Sequence, residues 1–224
     1  MKDKDFLYSK DVPFEFLDDG KQHIDDKVGI KKVSSEYFET GDIKVIKTVF
    51  SADNIVKSAV RYEFYCRENT LFIADRVLSD GLNIGVRTRF FVAHNDIFNC
   101  NVAAKSKLVL RKDGIGKKFF RLACTLDGES IIEKAGLLLP DGTSAASLGL
   151  TFYSGLYRFG REHTSIYGIC TDADSNMGKW HFLEDNGFLA QPPTHEGGYK
   201  ISQNENSVTV ENTANPSETV TFDF

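Results

Sequence analysis

The chain has little proline, methionine or tryptophan: 5, 2 and 1 in 224 residues. It has only four cysteines, Cys66, Cys100, Cys124 and Cys170. None forms a CxxC pair and no histidine lies at finger spacing, so a zinc site is not expected. Each cysteine sits in an apolar or alternating run, which reads as four separate small hydrophobes; one or two disulfides are the alternative. No stretch approaches the roughly 20 apolar residues of a membrane helix, so no membrane span is expected. A net charge of −5 with no basic stripe argues against a nucleic-acid partner. The opening Met1-Lys2-Asp3-Lys4-Asp5 leads into no apolar run of signal-peptide length. A cytoplasmic location is therefore the default expectation, and an exported one if the chain is a piece of a longer protein. There is no GxSxG, P-loop, GxGxxG after a strand or HExxH, which disfavours common hydrolases, nucleotide enzymes and metalloproteases. No cofactor is expected.

What is abundant is aromatic: 18 phenylalanines and 8 tyrosines, in a chain 41% hydrophobic and 26% charged. Aromatic enrichment suits strands packed face to face. A chain this long buries about 70% of the surface its unfolded form exposes, so the core needs no staple. Residues 1–30 are polar and irregular, broken at Asp18-Asp19-Gly20-Lys21 and Asp25-Asp26-Lys27, and read as a leader. Residues 31–224 read as one β-sandwich domain.

Within that domain, Ser34–Thr40 and Ile43–Phe50 form a hairpin about Gly41-Asp42. Val56–Arg67 then alternates with period two. Val60, Tyr62, Phe64 and Cys66 share one face; Arg61, Glu63 and Tyr65 share a second, expected to be wet or aromatic. Leu71–Leu78 and Ile84–His94 follow across short turns, and the three long strands read as a meander. Short strands separated by Gly, Asp and Pro turns continue to a last hairpin across Asn215-Pro216. No apolar periodicity of a helix runs over a dozen residues; one turn at Ser144–Leu148 is the most expected. The fold class is therefore all-β, a large antiparallel β-sandwich with short turns and little helix.

Three clusters are candidate ligand sites. Arg87 and Arg89, two apart on one strand with His94 at its end, place paired guanidiniums where they can grip a carboxylate or sulfate. The plainer reading is a solvated face whose arginines pair with Glu63 or Asp75 on neighbouring strands. Tyr153, Tyr157, Arg158, Arg161 and His163 set aromatic rings beside arginines, a pattern that suits a sugar; a half-buried strand followed by a charged turn is the alternative. Trp180-His181 holds the one tryptophan, which is either core or site. His195-Glu196-Gly197-Gly198-Tyr199 is a loop with His, Glu and Tyr close together. Asp172, Asp174 and Asn176 have the alternate spacing of a calcium loop. Counted from Asp172, however, Met177 and Leu183 fall where an EF-hand requires Gly and Glu.

The segment Arg61-Tyr62-Glu63-Phe64-Tyr65, then Leu71-Phe72-Ile73-Ala74-Asp75-Arg76-Val77, then a strand ending Phe90-Phe91-Val92, is similar to the C-terminal β-sandwich of heparinase II/III-like polysaccharide lyases. In that family an Arg-bearing strand precedes a Leu-x-Ile/Val-x-Asp-x-Val strand and a further long one. The resemblance covers about a third of the chain. It implies a β-sandwich and an acidic polysaccharide or oligosaccharide as partner, with a lyase or glycoside hydrolase as the enzymatic form. The family's lyases also carry a helical toroid, for which this sequence has no counterpart, so a catalytic partner chain or a homo-oligomer is an expected context. No catalytic residue is carried over. A barrel that binds a small molecule and a non-catalytic assembly module pairing through a strand edge are the other functions considered.

Overall fold

In the computed structural model the backbone is described for residues 6–7, 14–17, 30–67, 70–93, 98–102, 107–112, 118–124, 130–138, 144–153, 160–172, 179–183, 187–191 and 198–224, and side chains for 14–17, 30–67, 70–88, 160–168 and 198–224. Among these residues there is no helix. The strands are β1 (Phe6–Leu7), β2 (Phe14–Leu17), β3 (Lys31–Thr40), β4 (Ile43–Ala52), β5 (Val56–Tyr65), β6 (Thr70–Ser79), β7 (Gly85–Ala93), β8 (Phe98–Val102) and β9 (Lys107–Lys112). They continue with β10 (Lys118–Cys124), β11 (Ser130–Leu138), β12 (Ser144–Tyr153), β13 (Glu162–Asp172), β14 (Lys179–Leu183), β15 (Gly187–Gln191), β16 (Tyr199–Gln203), β17 (Ser207–Asn212) and β18 (Thr219–Asp223).

They form three open antiparallel sheets. The central one has eight strands in the order β3-β4-β5-β6-β13-β10-β9-β8. A first five-stranded sheet is β11-β12-β7, with β1 and β2 on successive stretches of the other edge of β7. The C-terminal sheet runs β14 to β18 in chain order. Two apolar layers hold them together. One face of the central sheet, with Ile43, Val45, Tyr62, Phe64, Phe72 and Ile166, packs on Tyr199, Ile201, Val208, Val210 and Val220 of the C-terminal sheet. The opposite face, with Phe50, Ala59 and Val77, packs on Phe14, Phe16 and Val86 of the first sheet. The all-β sandwich expected from the alternation is the fold observed.

Both expected hairpins form. Gly41 turns β3 into β4 at φ +56°, a left-handed conformation that glycine adopts without penalty. β17 and β18 pair across Asn215-Pro216.

Three local expectations are corrected. Ile84–His94 does not complete a meander: β7 leaves the central sheet, and β6 pairs with β13 instead. Gly81, at φ +85°, and a bond from the Ser79 hydroxyl to the Leu82 carbonyl redirect the chain. Ile84 and Val86 then cover the face that β6 presents through Val77. The stretch at Ser144–Leu148 is strand rather than a helical turn, because it pairs in register with Ala135–Leu138 and beyond on β11. Finally, the Phe-Glu-Phe-Leu of β2 lies within the segment read as irregular. Phe14, Phe16 and Leu17 are buried and Glu15 less so, the period of a half-covered strand.

Candidate functional site

The arginine pair lies on β7, at the centre of the first sheet. Glu15 of β2 is the register partner of Arg87 on one side, and Tyr153 of β12 is its partner on the other. Arg89 stands two positions on, opposite Thr151. The flanking Phe14, Phe16, Val86 and Thr88 are buried in the inter-sheet layer, so Arg87 and Glu15 project from the opposite face. Arg87 Nε donates to Glu15 Oε2 at 2.6 Å, and Nη2 is ion-paired with the same oxygen. Their side chains are only 13% and 20% exposed, so this pair is far less screened than a surface one. The guanidinium is thus held in one orientation by a carboxylate on the neighbouring strand.

Glu63 and Asp75, the partners expected for these arginines, are engaged elsewhere. Arg61 of β5 faces Asp75 of β6 across the central sheet. Its Nε and Nη2 donate to Oδ1 and Oδ2, both at 2.7 Å, and both side chains are 2% exposed. This is the parallel two-bond geometry that only Arg offers a carboxylate. The Arg61 guanidinium also lies 5.0 Å from the Phe14 ring centre, a cation–π contact reaching into the first sheet. Glu63, 6% exposed, accepts a bond from Tyr65 Oη at 2.6 Å. Burial pushes the Asp75 carboxyl above its ordinary range; the charge and hydrogen bonds of Arg61 oppose that push, and nearby Glu63 adds to it. The second face of β5, expected to be wet or aromatic, is therefore dry and carries a buried ionic network. Ser165 and Thr48, the register partners of Asp75 and Arg61, are also buried polar residues on this face.

His163 sits near the start of β13. Its Nε2 lies 2.7 Å from Ile84 O and 3.2 Å from Gly160 O. Carbonyl oxygens only accept, so Nε2 carries the proton and donates to both. That bond ties β13 to the strand entry of β7, beside the Ile84–Gly160 bridge. Arg161 is exposed, and its carbonyl accepts from Ser79 N.

The structure thus brings together Arg87, Arg89 and Tyr153 by register, while His163, on β13 of the central sheet, reaches the Ile84 carbonyl at the entry to β7. Trp180 and His181 are on β14, opposite Ala190 and Leu189 in the C-terminal sheet, apart from that group. His94, Tyr157 and Arg158 lie outside the described residues, as do His195, Glu196, Asp174 and Asn176. Tyr199, at the end of the His195 loop motif, is a buried core residue on β16. Among the described residues no three His, Cys, Asp or Glu side chains could hold a metal ion. Cys66 carries a free thiol, which burial pushes up from its ordinary range. The residue missed from sequence is Glu15; the alternation Phe14-Glu15-Phe16 was its signal.

No protein-family model matches the chain, and no curated protein matches it. Solved structures do. One heparinase III structure is 12% identical over 87% of this chain and 28% of its own, with a TM-score of 0.57. A second, described as the crystal structure of heparinase III, is 12% identical over 87% of this chain and 27% of its own, at 0.53. The heparan sulfate lyase HepC from Pedobacter heparinus is 7% identical over 87% and 28%, at 0.47. The likeness read from Arg61–Val92 therefore extends to the fold of most of the chain, and the chain spans under a third of the length of those structures.

Proposed function

We propose that this chain is a carbohydrate-associated β-sandwich module that binds an acidic polysaccharide, with Arg87 and Arg89 of β7 as the anionic-group contacts. The observation that carries the reading is the fold shared with heparinase III over 87% of the chain. The arrangement of β7 supports it. Glu15 holds the Arg87 guanidinium in place, so little side-chain freedom is lost when a carboxylate or sulfate docks beside it. Tyr153, at the register position next to Arg87, adds an aromatic residue of the kind that stacks on sugar rings. The module would act beside catalytic machinery, in a partner chain or elsewhere in a longer protein, and no residue is assigned a catalytic role. A small-molecule barrel is not favoured, since each of the three sheets ends in open edges among the described residues.

A thermal-shift screen against neutral, uronic and sulfated glycans tests the proposal. A ligand at 100 times its Kd adds about 2.7 kcal/mol. In a domain of this size that raises Tm by roughly 5–10 °C. The expected result is a rise with uronic or sulfated glycans that weakens with salt and is lost in Arg87→Ala/Arg89→Ala. Glu15→Gln, which keeps both cations, should retain the rise. No shift with any glycan, or a shift that survives loss of both arginines, would overturn the reading.

A further inference from the structure

Strand β3 ends the central sheet, and among the described residues its only neighbour is β4. All ten of its residues, Lys31 to Thr40, are exposed. Of the four large apolar side chains exposed among the described residues, three are on this strand: Val33 at 62%, Tyr37 at 58% and Phe38 at 37%. An edge strand of this length presents a row of unpaired N–H and C=O groups, and proteins usually blunt it with proline, inward charge or repeated bulges. Here there is no proline from Lys31 to Thr40, and one irregularity, between Lys32 and Ser34. From Ser34 to Thr40 the register with β4 is unbroken. The strand is also held extended from behind. Phe38 packs on Phe222 with ring centres 5.0 Å apart, and Ser35 Oγ lies 3.4 Å from Thr48 Oγ1.

The charges on this edge are segregated. Lys31 and Lys32 lie at one end, Glu36 and Glu39 toward the other. Their ion pairs within the chain are weak: Lys31 is 3.9 Å from Asp53 and Glu39 is 3.8 Å from Lys44, both in solvent. Glu39 also accepts a bond from Tyr37 Oη at 2.7 Å along the same strand, itself exposed. A parallel copy of the strand would set lysine beside lysine and glutamate beside glutamate. An antiparallel copy sets the lysine end of each strand against the glutamate end of the other, and brings Val33 and Tyr37 of one copy near Tyr37 and Val33 of its mate.

We infer that β3 is a self-complementary edge through which two copies of this chain pair antiparallel, joining their central sheets into one continuous sheet. The two-fold axis stands perpendicular to the sheet near the middle of the strand, the isologous arrangement that closes at two copies. Main-chain hydrogen bonds supply the affinity, and the lysine and glutamate ends supply direction and register. The contact is small, so assembly depends on concentration. This assignment is independent of the polysaccharide reading and uses a different sheet.

Sedimentation velocity of the full chain over a concentration series reads the outcome. The expected result is a reversible monomer–dimer equilibrium. Glu36→Lys/Glu39→Lys and Lys31→Glu/Lys32→Glu each make the edge one sign, and each alone should shift dimerisation to at least tenfold higher concentration. Mixed one to one, the two variants should recover the dimer. All four positions are exposed, and circular dichroism and Tm of each variant show whether the fold is kept. A monomer at every concentration overturns the inference. So does a dimer that survives in both variants, which would put the interface elsewhere, or a mixture that stays monomeric while both variants are folded.

Discussion

Replacing Arg61 by methionine tests the reading of the buried pair most directly. The change keeps an aliphatic stem of similar length and removes one cation, two 2.7 Å charge-assisted bonds and the contact with Phe14. What remains is Asp75, 2% exposed, with Glu63, 6% exposed, on the same face. Breaking a buried pair from one side costs about 3–5 kcal/mol, because a charge is left uncompensated. That is a fall in Tm of roughly 6–20 °C for a chain of this size. The penalty should depend on pH with a defined sign. Burial already raises the Asp75 carboxyl, and Arg61 is the largest influence pulling it down. Without Arg61 the folded carboxyl rises further above its unfolded value. Its contribution is then fully present below the unfolded pKa and lost as pH rises through the folded one. The deficit of Arg61→Met should therefore be largest at pH 8 and shrink toward pH 5, by up to about 1.4 kcal/mol per pH unit. Adding Asp75→Leu removes the stranded charge and should restore stability to within about 1 kcal/mol of the parent. Urea midpoints at pH 5 and pH 8, read at constant m, give all three numbers. A cost below about 1 kcal/mol at pH 8, or a deficit identical at both pH values, would refute the claim that this pair is dry.

Further predictions follow from single contacts. Gly41→Ala forces an alanine into φ +56° and brings a Cβ within 2.7 Å of the Glu218 side chain. It should cost about 1–2 kcal/mol by chemical denaturation, and Glu218→Ala in the same background should recover only the steric part. Tyr62→Phe removes the bond from Tyr62 Oη to the Asp223 carbonyl, 2.5 Å across the sandwich, and should cost about 1 kcal/mol while speeding amide exchange in β18. Burial raises the Cys66 thiol, so at pH 8 its alkylation by iodoacetamide in the native protein should be at least tenfold slower than in urea. Equal rates by mass spectrometry would show that the thiol is solvated.

Strand positions were legible because period-two alternation and Gly, Asp and Asn turns are local signals. The hairpins about Gly41 and Asn215-Pro216 needed nothing else. Which sheet a strand joins is not local. The turn at Ser79-Asp80-Gly81 marks the end of β6 equally well whether β7 returns beside it or crosses to cover its face. Alternation also reports two faces without saying whether both are dry. Arg61 and Glu63 on the second face of β5 read as wet because charged side chains usually are. Only the first sheet lying over them, anchored by Phe14, makes that face a core. The same gap limited the site. Arg87 and Arg89 were visible as a pair, but the true partner of Arg87 is 72 residues away on a four-residue strand. Asp75 was spoken for by Arg61.

The ionic pair between β5 and β6 also acts as an alignment key. Both strands are buried on both sides, with Val60, Tyr62 and Phe64 toward one layer and Ala59, Arg61 and Glu63 toward the other. For such strands the hydrophobic pattern discriminates poorly between one pairing and its neighbours, since an apolar residue meets an apolar environment in each. A slip of two residues would keep every side chain on its own side yet set Arg61 against Ile73 or Val77, stranding two ions in a dry interior. Only the observed alignment places Arg61 opposite Asp75. The pair thus does for the centre of this sheet what a single polar residue does for the stagger of a coiled coil: it makes the wrong alignments costly.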